Sequence, residues 1–427
     1  FNIAGKLVNH LIVFLINICI VRYLGATQSG IYFNELYLIN FVALVFSLGI
    51  DFSVISFLAQ DVGLLNALRK KMLIVLCIFA SLLGFIAFIP SVITAHFEQS
   101  QLALFLFCVG NLMLLFYQGL LSAFKKFNEQ NLVLIASNTV FLFFLFWMLH
   151  KPEAVVNFKS IAMANAVLFM VQGGLMQLLS YRFKSASISS ISWKALLRPG
   201  MYFFVASLAY FSFLRIDNFF VERYCDPAVL GSYIQCGKIG QYFIYFSTII
   251  SSTMIPFIAN ETEQLSYKDW RKIMKPYLYL LLLAALGVII TGYFMFPFLF
   301  GNGFEQMYGI MLILLPGYIG LGLLTLMNAV YIGKGNLKRI LTGDVLGFVL
   351  LTVLDIIFIP RYGVYAAAII SSICYVLAPG AKAQWHVSGL TPVKHLIYEP
   401  PHPHHTRSCT GPCPLGLLAE ASGNRWI

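Results

Sequence analysis

Apolar residues follow one another in long runs along most of this chain, with short polar segments between them. A helical run of about 20 apolar residues is long enough to cross the hydrocarbon core of a bilayer. Such runs lie at residues 7–24, 34–50, 72–90, 101–121, 131–150, 159–181, 200–220, 231–257, 276–299, 307–332, 340–359 and 363–379. The pattern therefore predicts an all-α polytopic membrane protein with about 12 transmembrane helices.

Composition supports this prediction. The 427 residues are 59% hydrophobic and 11% charged, with a mean hydropathy of +0.83, whereas soluble globular domains are about 25% charged. The chain begins at Phe1 rather than Met, so we expect that N-terminal residues are missing. For that reason we do not interpret residues 1–24 as a signal peptide.

The basic residues indicate which span ends share a side of the membrane. With the N-terminus in the cytoplasm, the cytoplasmic loops contain Arg69, Lys70, Lys71, Lys125, Lys126, Arg182, Lys184, Lys194, Arg198, Lys268, Arg271, Lys272, Lys275, Lys334, Lys338 and Arg339. The opposite side has only Arg22, Lys151, Lys159, Arg223 and Arg361. Cytoplasmic loops are enriched in Lys and Arg, so we expect both termini in the cytoplasm. Most of the net charge of +11 then comes from basic loop residues that set the orientation in the membrane, so we expect no nucleic-acid partner.

Two segments carry the same spaced pattern, RYLGATQSGIYF at residues 22–33 and RYCDPAVLGSYI at residues 223–234. Identities recur 201 residues apart and pair Arg22 with Arg223, Tyr23 with Tyr224, Gly30 with Gly231, and Tyr32 with Tyr233. A second match, at an offset of 200, pairs ISFLAQD at 55–61 with IPFIANE at 255–261. Two matches in the same order indicate two related halves.

Each copy of this lobe-repeat motif lies between the first and second spans of its half, so the halves have the same orientation. Parallel repeats of this kind are typical of transporters. We predict an N-terminal six-helix lobe at 1–182, a cytoplasmic linker at 183–199, a C-terminal six-helix lobe at 200–379 and a polar tail at 380–427. The loops are short, and they present no nucleophile–base pair or metal set, so we do not expect an enzyme.

Charged residues inside the spans are candidate functional residues, because charge is costly in lipid. Arg215 and Asp217 lie in the seventh span, Lys238 in the eighth, and Asp344 and Asp355 in the eleventh. Ion pairs between helices are the ordinary explanation, but we favour a cavity-lining role for the first three. Arg215 and Lys238 suit an anionic head group, especially a phosphate. Asp217 could pair with Lys238, and the three acids could carry protons or sodium.

Several segments resemble one family in order and spacing, from about residue 3 to residue 378. They are RYLGATQSGIYF with SLGIDFSVISFLAQ, RIDNFFVERYCDPAVLGSYIQCGKIGQ, MIPFIA, FGNGFEQMYGIMLILLPG and IPRYGVYAAAIISSI. The chain resembles the Wzx-type polysaccharide and O-antigen flippases. These belong to the superfamily that also contains the multidrug and toxin extruders and the lipid II flippases.

The resemblance implies a two-lobed flippase in the bacterial inner membrane that opens alternately to each side. Its cargo would be an oligosaccharide repeat unit of O-antigen or a related lipopolysaccharide, carried on a polyprenyl diphosphate and moved from the cytoplasmic to the periplasmic leaflet. The family pattern implies Arg215 and Lys238 as substrate-binding residues and Asp217 as an ion-pair or coupling residue, with H⁺ or Na⁺ as the coupling ion. Membrane lipids, a polysaccharide polymerase and a chain-length regulator are the implied partners, and no cofactor is implied.

Two other functions stay open. A drug or cation exporter of the same superfamily would have an acidic, aromatic cavity, which Arg215 and Lys238 argue against. A membrane enzyme of polysaccharide assembly would carry clustered His, Arg or acidic residues on a large outer loop, and the short loops argue against it.

The resemblance ends after Leu377, where hydrophobicity falls and Pro, His and Cys become frequent. The cysteines and histidines of this tail have no recognised zinc spacing, so we predict no metal site. We expect residues 380–427 to be a disordered tail or an out-of-frame translation product.

Overall fold

The computed structural model describes residues 2–87, 100–149, 157–183, 190–260, 267–333 and 337–387. The described residues all belong to one compact unit. The described part of this unit is helical and contains no β-strand. The predicted tail, 380–427, lies almost entirely outside the described residues.

Eleven α-helices follow one another along the described ranges. They are α1 (Asn2–Ser47), α2 (Ile50–Gln60), α3 (Leu65–Ala87), α4 (Gln101–Ala123), α5 (Phe127–Leu149), α6 (Phe158–Ser180), α7 (Trp193–Tyr224), α8 (Pro227–Asn260), α9 (Tyr267–Phe300), α10 (Met307–Gly333) and α11 (Leu337–Val387). A short 3₁₀ helix, Val62–Leu64, joins α2 to α3. Several helices begin at side-chain caps, as at Ser100, Asn157 and Ser192.

Two glycines divide the longest helices. Gly25 breaks α1 with φ 71° and ψ 179°, and Gly363 breaks α11 with φ 66° and ψ −151°. These dihedral angles belong to a region that is essentially restricted to glycine. Helix α1 therefore consists of α1a (residues 2–24) and α1b (residues 26–47), and α11 consists of α11a (337–362) and α11b (364–387).

The prediction of an all-α protein with about 12 membrane-spanning helices is confirmed. Among the described residues, eight helices are long and apolar enough to cross a membrane, namely α1, α4, α5, α6, α7, α9, α10 and α11. Two of these, α1 and α11, each contain two predicted spans. The remaining predicted spans, 72–90 and 231–257, coincide with α3 and α8.

Span boundaries differ from the prediction where polar residues lie inside helices. The second span is predicted at 34–50, but the helix begins right after Gly25 and ends at Ser47, and α2 follows from Ile50. The predicted start leaves out the first turns of this helix, which contain the polar residue Ser29. Ser29, Asn34 and Glu35 are 0%, 4% and 4% exposed, so these polar side chains lie inside the bundle. The last helix likewise runs to Val387, beyond the predicted end at 379.

Apolar side chains cover the outside of the bundle. Phe294, Phe298, Leu346 and Val140 are each about 70% exposed or more. A surface this apolar would associate in water, whereas lipid tails are its natural environment. The exposed apolar faces of α9 and α11 therefore indicate contact with the bilayer.

Contacts between the N-terminal and C-terminal helices run mainly through α1 with α8 and α7, and through α2 with α7. We call this contact surface the seam. Within the N-terminal helices, α4 packs on α6, and within the C-terminal helices α10 packs on α8 and α11. The lobe boundaries at 182/183 and 199/200 stay a prediction, and residues 193–199 form the first turns of α7.

Candidate functional site

The two repeat glycines meet each other at the seam. A Cβ on Gly30 would lie 2.6 Å from the Pro227 carbonyl oxygen and 2.8 Å from the Gly231 nitrogen, and a Cβ on Gly231 would lie 2.2 Å from the Ala26 carbonyl oxygen. Only glycine allows the backbones of α1b and α8 to come this close. The motif that repeats in the sequence thus forms a contact between its own two copies.

The repeat tyrosines are buried on either side of this contact. Tyr32 is 0% exposed and its hydroxyl accepts a hydrogen bond from Asn165 of α6 at 2.7 Å. Tyr233 is 3% exposed and donates to Asp217 at 2.6 Å. Tyr32 therefore links α1b to α6, and Tyr233 links α8 to α7.

Arg and Tyr at the start of each copy lie near the surface instead. Arg22 donates a hydrogen bond to the Phe298 carbonyl of α9 at 2.9 Å, across the seam. Tyr23 is half-buried, and Arg223 and Tyr224 are exposed where α7 ends.

Lys238 points into the seam two helical turns beyond Gly231. Its Nζ atom donates to Asn17 Oδ1 at 2.5 Å and lies 2.7 Å from the centroid of the Phe33 ring. Asn17 in turn donates to Gln235 Oε1 at 2.7 Å. The ammonium group of a C-terminal helix is thus held by an amide and an aromatic face from α1.

Arg215 faces α1b from α7, as Lys238 faces α1 from α8. Its guanidinium carbon lies 4.1 Å from the centroid of the Tyr37 ring. A Cβ on Gly237 would lie 3.3 Å from the guanidinium, so Arg215 rests against the residue that precedes Lys238. The structure therefore brings the two predicted substrate-binding cations together.

No carboxylate lies within 4 Å of either cation in the described ranges, where Lys126–Glu129 is the ion pair found. Asp217, which we predicted as a partner of Lys238, accepts hydrogen bonds from Tyr233, Ser371 (3.0 Å) and its neighbour's backbone N–H instead. Both cations are half-buried, and the Asp217 carboxylate acts on Arg215 from beyond 4 Å. Two neighbouring positive charges away from bulk water favour the binding of an anion. This arrangement suits a multiply charged anionic ligand.

The remaining predicted acids lie on α11a. Asp344 and Asp355 are 2% and 0% exposed. Both carboxylate oxygens of Asp355 lack a hydrogen-bond partner among the described residues. Asp355 lies close enough to Asp217 for their charges to interact. The role of the three acids in coupling or ion pairing stays a prediction.

Helix contacts lie on both sides of the cations along the seam. On the side of the basic loops, His10 stacks on Tyr245 at 4.1 Å and Phe52 stacks on Phe203 at 5.1 Å. On the other side lies the contact between Gly30 and Gly231. The cations are therefore enclosed between two contacts, either of which would have to separate to admit a ligand.

The sequence alone did not single out the partners of the cations, namely Asn17, Phe33 and Tyr37, nor Gln235, which accepts a hydrogen bond from Asn17. A helical face could have indicated two of them, because Ala26, Gly30, Phe33 and Tyr37 follow at three- and four-residue spacing from the repeat glycine. Gln235 lies one turn before Lys238 on the same face of α8.

Comparison with known proteins agrees with this architecture. A family model described as "Polysaccharide biosynthesis protein" matches residues 1–262. No curated protein matches the chain.

Solved structures of similar fold include the lipid II flippase MurJ in an inward closed conformation, with a TM-score of 0.68, 15% identity, and coverage of 90% of this chain and 87% of that one. An inward-facing multidrug resistance MATE transporter of the MOP superfamily has a TM-score of 0.66 at 13% identity, with 88% and 93% coverage. A mutant of the Vibrio cholerae MATE transporter VcmN has a TM-score of 0.62 at 14% identity, with 90% and 93% coverage. The fold is that of the MOP superfamily transporters.

Proposed function

The chain belongs to the polysaccharide biosynthesis protein family, and we propose that it is a flippase for polyprenyl-diphosphate-linked oligosaccharides. It moves the repeat units of O-antigen or a related surface polysaccharide from the cytoplasmic to the periplasmic leaflet of the bacterial inner membrane. The basic loops lie in the cytoplasm and the side of the repeat motif faces the periplasm. The protein acts as a transporter and not as an enzyme.

The pair of cations in the seam is the observation that carries this proposal. Arg215 lies against Gly237, the residue before Lys238 on α8. Neither cation has a carboxylate partner within 4 Å among the described residues. A diphosphate supplies several acceptor oxygens and at least two negative charges, so it can engage both side chains. The amides of Asn17 and Gln235 add donors and acceptors beside Lys238 that suit sugar hydroxyls.

Coupling to an ion forms a second part of the proposal. The buried carboxylates of Asp217 and Asp355 could take up H⁺ or Na⁺, since intramembrane acids commonly do so in transporters. Tyr233 and Ser371 bind Asp217 and would sense its charge.

The alternative is a cation or drug exporter of the same superfamily. A lipophilic cation would be repelled by Arg215 and Lys238. Efflux of a cationic dye that depends on this protein would therefore favour the alternative over a polysaccharide flippase.

The test uses the native host with the gene deleted. We expect loss of surface polysaccharide and accumulation of polyprenyl-diphosphate-linked oligosaccharide on the cytoplasmic side, both restored by the intact gene. Arg215→Gln and Lys238→Gln should each lower export at least about tenfold, because each removes a charge-assisted hydrogen bond. Lys71→Gln and Arg339→Gln are matched controls, since both cations also lie over aromatic rings but near the basic loops.

Normal membrane insertion must accompany the loss for it to support the proposal. Wild-type polysaccharide in the well-inserted Arg215→Gln and Lys238→Gln proteins would contradict the cation site. An unchanged lipid-linked pool in the deletion strain would contradict the function itself.

A further inference from the structure

A cavity of about 550 Å³ opens on the side of the bundle opposite the basic loops, apart from the seam cations. Three parts of the chain enclose it: the turn between α7 and α8, the segment before α10, and the bend in α11. Its polar and aromatic lining residues are Arg223, Tyr224, Asp226, Gln306, Tyr362 and Tyr365. Small-ligand sites have volumes of roughly 300–1,000 Å³, so the cavity is large enough for such a ligand.

Backbone geometry creates the cavity. Helix α7 ends at Cys225, which is extended with φ −123° and ψ 166°, and α8 restarts at Pro227. Opposite this turn, α11 bends at Gly363, where a Cβ would lie 3.8 Å from the Cys225 sulfur. Turn and bend therefore lie side by side in the lining of the cavity. A larger residue at Gly363 would strain the backbone and extend into this space.

The lining has the chemistry of a saccharide site. Tyr224, Tyr362 and Tyr365 are 52%, 67% and 44% exposed. The Tyr362 ring stacks on Phe358 at 6.3 Å, and its exposed part could pack on the C–H face of a pyranose. The Arg223 guanidinium supplies N–H donors, and the Asp226 carboxylate supplies two acceptor oxygens. The Gln306 amide both donates and accepts. Donors and acceptors placed side by side match vicinal hydroxyls.

Tyrosines near a membrane surface often serve only as interfacial anchors. Tyr279 on α9 is 68% exposed and lines no part of this cavity, so it represents that ordinary role. The three cavity tyrosines differ because they converge with charged and amide groups on one concave space. A phosphate site would not need three aromatic rings, nor an aspartate.

We propose that this cavity binds a short oligosaccharide with vicinal hydroxyls, stacked on Tyr362 and hydrogen-bonded by Asp226 and Arg223. Binding here goes beyond the transport of lipid-linked cargo, because it requires neither lipid nor diphosphate. Under the proposed function, the site would receive the sugar portion on the periplasmic side.

Cys225 provides a reporter in the lining of the cavity. It is half-buried and in the free thiol form. The experiment measures its alkylation by N-ethylmaleimide in the purified full-length protein, resolved by peptide mass spectrometry. The probe is the free oligosaccharide released by mild acid from the host's own surface polysaccharide, and Cys77, exposed on α3, is the internal control.

We expect the oligosaccharide to slow alkylation of Cys225 at least threefold in the wild type and in Tyr279→Ala, and to leave Cys77 unaffected. Tyr362→Ala should lose the protection, and Asp226→Asn is a second variant in case Tyr362→Ala does not fold. Lys238→Gln should keep it, which separates this site from the seam. The proposal would be overturned if 10 mM oligosaccharide did not protect Cys225 in the wild type. It would also be overturned if both cavity variants were protected as well as the wild type, or if inorganic diphosphate gave the protection instead.

Discussion

Gly231→Ala should open the seam on the side opposite the basic loops. The new Cβ would lie 2.2 Å from the Ala26 carbonyl oxygen, whereas ordinary contact begins at 3.4 Å, so α1b and α8 must separate by roughly 1 Å. Overpacking of this kind costs about 1–3 kcal/mol. The cost arises only while the helices touch, so it favours the open state by about 5- to 150-fold.

A cysteine at position 29 reports this opening. Ser29 precedes Gly30 on α1b and is 0% exposed, so Ser29→Cys should react slowly with a membrane-impermeant maleimide. Adding Gly231→Ala should raise the initial labelling rate at least fivefold, measured by peptide mass spectrometry in inverted and right-side-out vesicles. The increase should appear only when the reagent is on the side of the repeat motif.

Gly287→Ala is the matched control, because no heavy atom lies within 4 Å of a Cβ at that position of α9. Its labelling rate should equal that of Ser29→Cys alone. An unchanged rate in a monodisperse Gly231→Ala protein would refute the claim that the repeat glycines close the seam. An equal increase in both variants would show general loosening and refute it as well.

Three further predictions concern single residues. Gly25→Ala should cost about 1–3 kcal/mol from backbone strain alone and lower the melting temperature, whereas Gly174→Ala, helical and with free space, should not. Asp355→Asn should raise the melting temperature, since it removes a buried carboxylate without hydrogen-bond partners in the described structure. A lower melting temperature would contradict this reasoning. If Asp355 couples transport, the same variant should also lower export. Burial, and to a lesser extent the Asp226 carboxylate, raise the pKa of the Cys225 thiol. Asp226→Asn should therefore lower that pKa and speed alkylation of Cys225 at pH 7. The alkylation rates of the wild type and the variant should converge at a pH above the Cys225 pKa of both proteins.

Much of the fold was predictable because membrane helices are long and individually apolar. The repeat also predicted a relation between the halves, and Gly30 and Gly231 prove to be in contact. The second helix begins earlier than predicted, because its first turns contain polar residues such as Ser29, which is 0% exposed in the fold. Burial against a neighbouring helix cannot be recognised from one helix alone.

The candidate site was predictable only in its charges. Arg215 and Lys238 stood out because charge is rare in a span. Their partners Asn17, Phe33 and Tyr37 are about 200 residues away, and ordinary polar and aromatic residues of this kind occur throughout the spans. Only the packing of α1 on α7 and α8 selects these three, and a single sequence does not contain that information.

The repeat also explains how ligand binding and opening of the seam could be linked. At the offset of 201, Lys238 corresponds to Tyr37 and Arg215 to Phe14, so both cations belong to the C-terminal helices and the N-terminal helices carry aromatic rings instead. Every contact described for the cations across the seam comes from α1, through Asn17, Phe33 and Tyr37. A diphosphate bound to both cations, as proposed, would displace these side chains. Its binding would then favour separation of the halves, and its release would favour their closure.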